Sequence, residues 1–451
     1  MKQQMNRFPQ DFLWGASISA YQAEGAVLED GKQLSIADLS TQGSAYCDNS
    51  VSSDFYHHYK EDIKLLAEMK AKTFRFSLAW PRIIPDGEGE VNEKGIEFYN
   101  HILDELDKYD IKPIVTLFHY DLPVALQNKY GGWKSREVVN AFKKFVKICF
   151  ERFGKRIKMY LTINEPDILL TYGGHGLDLD GEDDFEKYKL IINHHFALAH
   201  AHAVTLCHEM VKDAVIGPVF GYVPVYPKSC KPLDNIAARD LSDIQNSFFQ
   251  ELFLNGYYLE NALHHYLNKS DYPDIRDGDM KLLANAKSDY VALNYYKSDV
   301  VEFIDNSSQS YQVCENDYLE STQWGWEIDA VGIRAMLRDV HSRYHLPIII
   351  AENGMANHEV SDGERIVDQY RIDYMQTHLH ECKKAIEEGV QLIGYCAWSF
   401  IDLLSTSHGF EKRYGLIYVD RNNESDGSLQ RIPKESYYWY KKTITEHGEN
   451  L

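Results

Sequence analysis

The sequence predicts an α/β protein: a single (β/α)8 TIM barrel with long βα loops, spanning residues 1–451 as one domain. Three observations predict it. Short β-rich runs alternate with longer stretches of helical periodicity. Eight such runs can be counted, the number a closed parallel barrel requires. No internal repeat, low-complexity tract or Pro/Gly/Ser-rich linker divides the chain. A barrel of this kind needs ~250 residues, so about 200 remain for loops.

The expected strands follow in order. Phe12–Ser17 (FLWGAS) comes first, then Thr73–Ser77 (TFRFS) and Ile114–His119 (IVTLFH). Met159–Asn164 (MYLTIN) and Val215–Phe220 (VIGPVF) are the fourth and fifth. Tyr290–Tyr295 (YVALNY), Ile348–Ala351 (IIIA) and Leu392–Trp398 (LIGYCAW) complete the set. Between them, Asp54–Lys70, Gly95–Tyr109 and Arg136–Phe153 carry the spacing of amphipathic helices.

Composition excludes several classes. Hydrophobic residues make up 44% of the chain, enough apolar surface to offset the entropy of ordering, so the chain is not disordered. Gly 28 and Pro 13 without a period exclude a collagen-like fibre. No apolar run approaches the ~18 residues of a membrane span. The start, MKQQMNRF, lacks the apolar segment of a signal peptide, and the expected location is cytoplasmic. The formal charge of −21 repels nucleic acid and anionic membrane surfaces. An anionic ligand therefore needs a local basic site. The cysteines Cys47, Cys149, Cys207, Cys230, Cys314, Cys382 and Cys396 are odd in number, scattered and free of C-x-x-C spacing. They read as reduced, mostly buried thiols. The Asn-x-Ser matches at Asn268 and Asn306 read as chance.

In a barrel of this kind the chemistry sits where the strands end at their C-terminal side. The residues there are Gln22, Arg75, His119, Asn164 with Glu165, Asn294 with Tyr296, Glu352 and Trp398. Arg, His and Trp are not typical turn residues, so their recurrence there points to a polar, ring-lined pocket rather than to strands running out into solvent. Two carboxylates stand out: Glu165 in YLTINEP and Glu352 in IIIAENG. They close the fourth and seventh runs, on opposite sides of an eight-strand barrel. Two carboxyl groups facing each other across a cleft can cut a glycosidic bond. A single glutamate at a strand end would more simply be a salt-bridge partner; the pair argues for chemistry.

Ordered motifs along nearly the whole chain resemble glycoside hydrolase family one, the retaining β-glycosidases. They begin with Phe8-Pro9, Asp11–Ala16 and Tyr21–Gly25, followed by Phe74–Ser77 with Trp80–Ile83. His119 with Asp121-Leu122-Pro123 and Tyr130–Trp133 comes next, then Thr162–Pro166, Asn294–Tyr296 and Glu352–Gly354. Pro433–Ser436 with Trp439-Tyr440 ends the series. The resemblance implies Glu352 as nucleophile and Glu165 as general acid/base. It implies Gln22, His119 and Asn164 as ligands of sugar hydroxyls, Asn294 and Tyr296 as further substrate-binding residues, and Trp398 as the platform beneath the ring. Arg75 and Tyr296 would hold Glu352 ionised and oriented. A nearby arginine depresses a nucleophile's pKa, whereas burial and a neighbouring carboxylate raise that of a general acid. Retention requires carboxyl groups ~5–5.5 Å apart.

The segment Trp398–Gly415 bears on the substrate. The plain β-glucosidases of the family carry Asn-Phe-Glu-Trp there, whose glutamate binds the sugar O4 and O6. Ser405 occupies that position here. A carboxylate would repel a 6-phosphate; a hydroxyl with Lys412 and Tyr414 nearby offers three donors to a dianion. This trio resembles the phosphate clamp of the 6-phospho-β-glycosidases, and Trp324-Gly325-Trp326 resembles their tryptophan block, with Trp326 as a substrate-binding residue. Thr406 replaces the Trp usual in the phospho-galactosidases and favours a glucoside. The expected activity is retaining hydrolysis of 6-phospho-β-glucosides. An unphosphorylated β-glucosidase, a 6-phospho-β-galactosidase and a non-catalytic sugar-phosphate binder remain open alternatives. Two positions depart from the family pattern. Tyr120 stands where Trp usually follows the histidine, and Asp167 stands where an apolar residue is common.

No cofactor or metal is expected, since neither a phosphate-binding loop, a dinucleotide fingerprint nor H-E-x-x-H occurs. His194, His195, His200 and His202 share a predicted helix and are expected to serve packing or capping. The acidic run Asp178–Glu186 reads as a solvated loop tip. The expected partner is a small phosphorylated glycoside, with homo-oligomerisation left open.

Overall fold

The computed structural model describes residues 7–41, 48–173, 177, 182–305, 311–359, 361 and 365–451. All eight expected runs form strands: β1 (Leu13–Ser17), β2 (Thr73–Ser77), β3 (Lys112–Phe118), β4 (Met159–Asn164), β5 (Val215–Gly221), β6 (Val291–Tyr295), β7 (Ile348–Asn353) and β8 (Leu392–Trp398). Each pairs in parallel with its sequence neighbours, and β1 pairs with β8, so the sheet closes. Two boundaries differ usefully from the expectation. β3 stops at Phe118, leaving His119 on the loop, whereas β7 continues through Glu352 and Asn353.

Closure has a consequence for side chains. Along each strand alternate residues point into the barrel and toward the helices. Ile114, Leu161, Val219, Ala292, Ile349, Ala351 and Cys396 form one small inner cluster. The larger core lies between strands and helices. The register sets Ser17 level with both Arg75 and Trp398, and Asn294 level with Glu352. The ladder between β6 and β7 is irregular between Ile350 and Glu352. Irregularities of this kind re-aim side chains near functional sites.

The expected helices are present as Phe55–Glu68, Glu93–Lys108 and Arg136–Phe153. Ser135 caps the third by accepting from the Glu137 N–H at 3.3 Å. Residues 182–186 correct the loop expectation. They begin a 29-residue helix, Glu182–Met210, while residues 178–181 lie outside the described residues. Acidic side chains suit a helix N-terminus, where they face unpaired N–H groups, so charge density alone did not mark a loop. Asp184 pairs there with Lys134 at 3.0 Å.

The histidines of this helix do pack, as expected. His194 lies 2.8 Å from the Tyr258 hydroxyl and 3.1 Å from Asp279. His195 meets the Trp133 carbonyl at 2.8 Å, and His200 meets Thr162 at 2.9 Å. Cys149, Cys207, Cys382 and Cys396 are buried free thiols, Cys230 is exposed and Cys314 is half-buried. Cys47 and Asn306 lie outside the described residues. Among the described residues no helix is long and apolar enough to cross a membrane.

Candidate active site

Glu165 owes its position to the peptide that follows β4. It takes φ 43° and ψ 57°, a left-handed conformation uncommon for a residue with a side chain. Pro166 disfavours the right-handed helical region at the residue before it. The chain therefore turns sharply at Glu165 and enters the helix Pro166–Tyr172. The carboxyl is caught by two donors from neighbouring strand ends. The Tyr120 hydroxyl donates to Oε2 at 2.6 Å, and Asn294 Nδ2 donates to Oε1 at 2.9 Å.

Glu352 sits on β7 itself, and its surroundings differ. Arg75 Nη1 donates to Oε1, and the Tyr296 hydroxyl donates to Oε2 at 2.7 Å. Arg75 is fully buried and oriented in turn: Nε donates to Thr116 Oγ1 at 2.9 Å and Nη2 to Asn164 Oδ1 at 2.7 Å. A glycine is required just beyond. A Cβ at Gly354 would lie 1.8 Å from the Trp398 carbonyl oxygen, so only a bare backbone lets β7 and β8 meet at this level.

Electrostatics separate the two carboxyls. Burial and, second, the Glu352 charge raise Glu165 to about 7, against the donors Tyr120 and Asn294 and the charge of Arg75. Glu165 can therefore carry a proton near neutrality. Glu352 receives donors on both oxygens, one of them cationic, which suits an anion. Burial and Arg75 hold His119 well below the usual histidine range, so its imidazole is neutral. Its ring stacks against Trp398 at 6.2 Å between centroids.

Both glutamates open into one cavity of about 380 Å³. Of the residues expected from the sequence, Gln22, His119, Asn294, Tyr296, Trp326, Trp398, Ser405 and Tyr414 line it with them. Arg75, Asn164 and Lys412 are not on its lining. Gln22 also ties two loops together, donating to the Leu404 carbonyl at 2.8 Å and accepting from Ser19 at 2.7 Å. Sequence reasoning missed part of the wall. Ile168, Tyr172, Tyr222, Val223 and Lys297 form the outer side. Tyr120 was legible only as a departure, and its bond to Glu165 was not.

On the far side, Ser405, Thr406, Ser407 and Tyr414 come from the loop after β8. Lys412 is buried, with Nζ 3.8 Å from the centre of the Trp326 ring, 5.3 Å from Trp324 and 5.7 Å from Tyr414. Burial pushes it down to about 8. The aromatic faces stabilise the cation, but no carboxylate among the described residues pairs with it. The loop is anchored from below by Asp402, which accepts from the Gly415 N–H at 2.8 Å and pairs with Arg413 at 3.0 Å and Lys434 at 2.9 Å. Among the described residues, the cation beside the cavity thus lacks a carboxylate partner, while Arg413 and Lys434 share Asp402.

Two carboxyls on one cavity, with a buried lysine close by, form an arrangement that known proteins share. The chain matches the model of Glycosyl hydrolase family 1 over residues 4–449. It is 38% identical to the aryl-phospho-beta-D-glucosidase BglC of Bacillus subtilis, over 98% of each chain. It is 36% identical to the 6-phospho-beta-glucosidase AscB of Escherichia coli, over 99% of this chain and 100% of that one. A solved family 1 β-glucosidase from Thermotoga maritima superposes with a TM-score of 0.91 at 37% identity, covering 99% of both. The motifs, the closed barrel and these matches agree, and the chain belongs to glycosyl hydrolase family 1.

Proposed function

We propose that the protein is a cytoplasmic enzyme that hydrolyses 6-phospho-β-D-glucosides, phosphorylated β-disaccharides or aryl glucosides, with retention, releasing glucose 6-phosphate. Glu352 attacks the anomeric carbon, and the bond to the leaving oxygen breaks as Glu165 passes it a proton. Glu165, now a carboxylate, takes a proton from water. The water oxygen bonds to the anomeric carbon as the ester to Glu352 breaks. Arg75 and Tyr296 orient the nucleophile. Gln22, His119 and Asn294 serve the sugar hydroxyls, Asn164 holds Arg75 in place, and Trp398 supports the ring.

One observation carries the phosphate reading: the buried Lys412, with no carboxylate partner among the described residues, on the loop that presents Ser405 and Tyr414. A dianion on that wall meets two hydroxyls, with the Lys412 cation held against Trp326 of the same wall, and no carboxylate of that loop lines the cavity. The names of BglC and AscB support the same substrate class. The small Thr406 beside Ser405 supports the gluco over the galacto configuration.

The test compares nitrophenyl β-glucoside with its 6-phosphate. Faster turnover of the phosphorylated compound, with the β-anomer of glucose 6-phosphate as the first product by NMR, is expected. Faster turnover of the plain glucoside rejects phosphate specificity, and an α-anomer rejects retention.

A further inference from the structure

Tyr120 stands where the family pattern carries tryptophan, and the proposed mechanism leaves it without a task. Its backbone is left-handed, with φ 75°. The side chain is buried, with its ring 4.8 Å from His119 and 6.2 Å from Tyr21. The hydroxyl donates to Glu165 Oε2 at 2.6 Å and accepts from Asn164 Nδ2 at 3.2 Å. A phenol at that distance has chosen the carboxyl oxygen as its acceptor, and the donor from Asn164 reinforces that choice. We propose that Tyr120 is a positioning residue for the acid/base: its hydroxyl fixes the rotation of the Glu165 carboxyl and stabilises the anion that must activate water.

The inference rests on Glu165 being the acid/base. Two effects then oppose each other at this carboxyl. Burial and Glu352 favour its protonated form, which the first step uses. Tyr120 and Asn294 donate to the ionised form, which the second step uses. The other charged or titratable groups facing Glu165 are Arg75, Asp167, Tyr21, Tyr296 and Tyr414, with Lys297 on the same cavity wall. Of the two side chains that donate to Glu165, Tyr120 makes the shorter hydrogen bond, 2.6 Å against 2.9 Å from Asn294.

The experiment measures kcat/KM against pH with phenyl 6-phospho-β-glucoside, a substrate whose leaving group needs a proton. Tyr120→Phe removes the donor and should move the basic limb up by about half to one pH unit. Site-specific 3-fluorotyrosine at position 120, a stronger donor, should move it down. A 13C-carboxyl NMR titration, with Glu165 assigned by its loss in Glu165→Gln, should show the same two shifts in the free enzyme. An unmoved limb with a rate loss at every pH would make Tyr120 a sugar ligand or a packing residue and overturn the inference. The underlying reading fails separately. If Glu165→Gln hydrolyses the phenyl substrate as fast as the wild type, Glu165 is not the acid/base, whatever Tyr120 does.

Discussion

The ammonium nitrogen of Lys412 lies 3.8 Å from the centre of the ring of Trp326, a residue that lines the cavity. A cation buried on an aromatic face with no counter-anion is costly to keep, unless its anion arrives with the substrate. The pH dependence of substrate binding follows from this pair.

In the free enzyme Lys412 loses its proton near 8. KM for a 6-phosphoglucoside should therefore rise as pH passes from 7 to 9.5, while KM for the plain glucoside changes little over that lysine's titration. Lys412→Met should raise KM for the phosphorylated substrate by on the order of 10- to 100-fold and remove that part of the pH dependence. The stability effect has the opposite sense. An unfolded lysine keeps its proton to about 10.4, so between about pH 8 and that value the unfolded state binds more protons. Folding stability from this group then increases with pH. Lys412→Met should unfold at higher temperature than the wild type at pH 7, measured by calorimetry.

Glu165 should also trade stability for function. Its folded-state pKa, about 7, lies above that of an unfolded glutamate, about 4.3. Between those values the folded state binds more protons, so this group's contribution falls as pH rises through the window. Glu165→Gln should melt above the wild type at pH 8 and level with it at pH 4. Its activity on poor leaving groups should drop by roughly 10²- to 10⁴-fold. Equal melting temperatures at pH 8 would contradict the burial argument.

Ser405→Glu places a carboxylate on the cavity wall, on the same loop as Lys412. It should neutralise that lysine and repel the phosphate, raising KM for the 6-phosphoglucoside at least about tenfold with a smaller change in kcat. KM for the plain glucoside should hold or fall, because a carboxylate there can accept from a 6-hydroxyl. Steady-state kinetics on both substrates measure the switch.

Gly354→Ala should damage both stability and chemistry. The new Cβ would meet the Trp398 carbonyl, which is backbone and cannot swing aside. A loss of roughly 1–3 kcal/mol is expected. Urea unfolding should show it, together with reduced kcat, since Glu352 and Trp398 share that strand junction.

The sequence alone determined the barrel and its two acids. Each strand is a short β-rich run, and an eight-strand closure sends every C-terminal end to one rim. Thus Glu165 and Glu352, far apart along the chain, were readable as neighbours from order and spacing. Local charge density was a poorer guide, as the helix beginning at Glu182 demonstrates. What only the tertiary structure decided are relations between side chains brought by different strands: the Tyr120 hydroxyl choosing Glu165, Asn164 bonded to Arg75 off the cavity lining, and Lys412 resting on the face of Trp326 instead of on the surface. Hydrogen bonds and cation–π contacts depend on sub-ångström placement in three dimensions. Hydrophobic periodicity specifies which face a residue takes but not which partner it meets there.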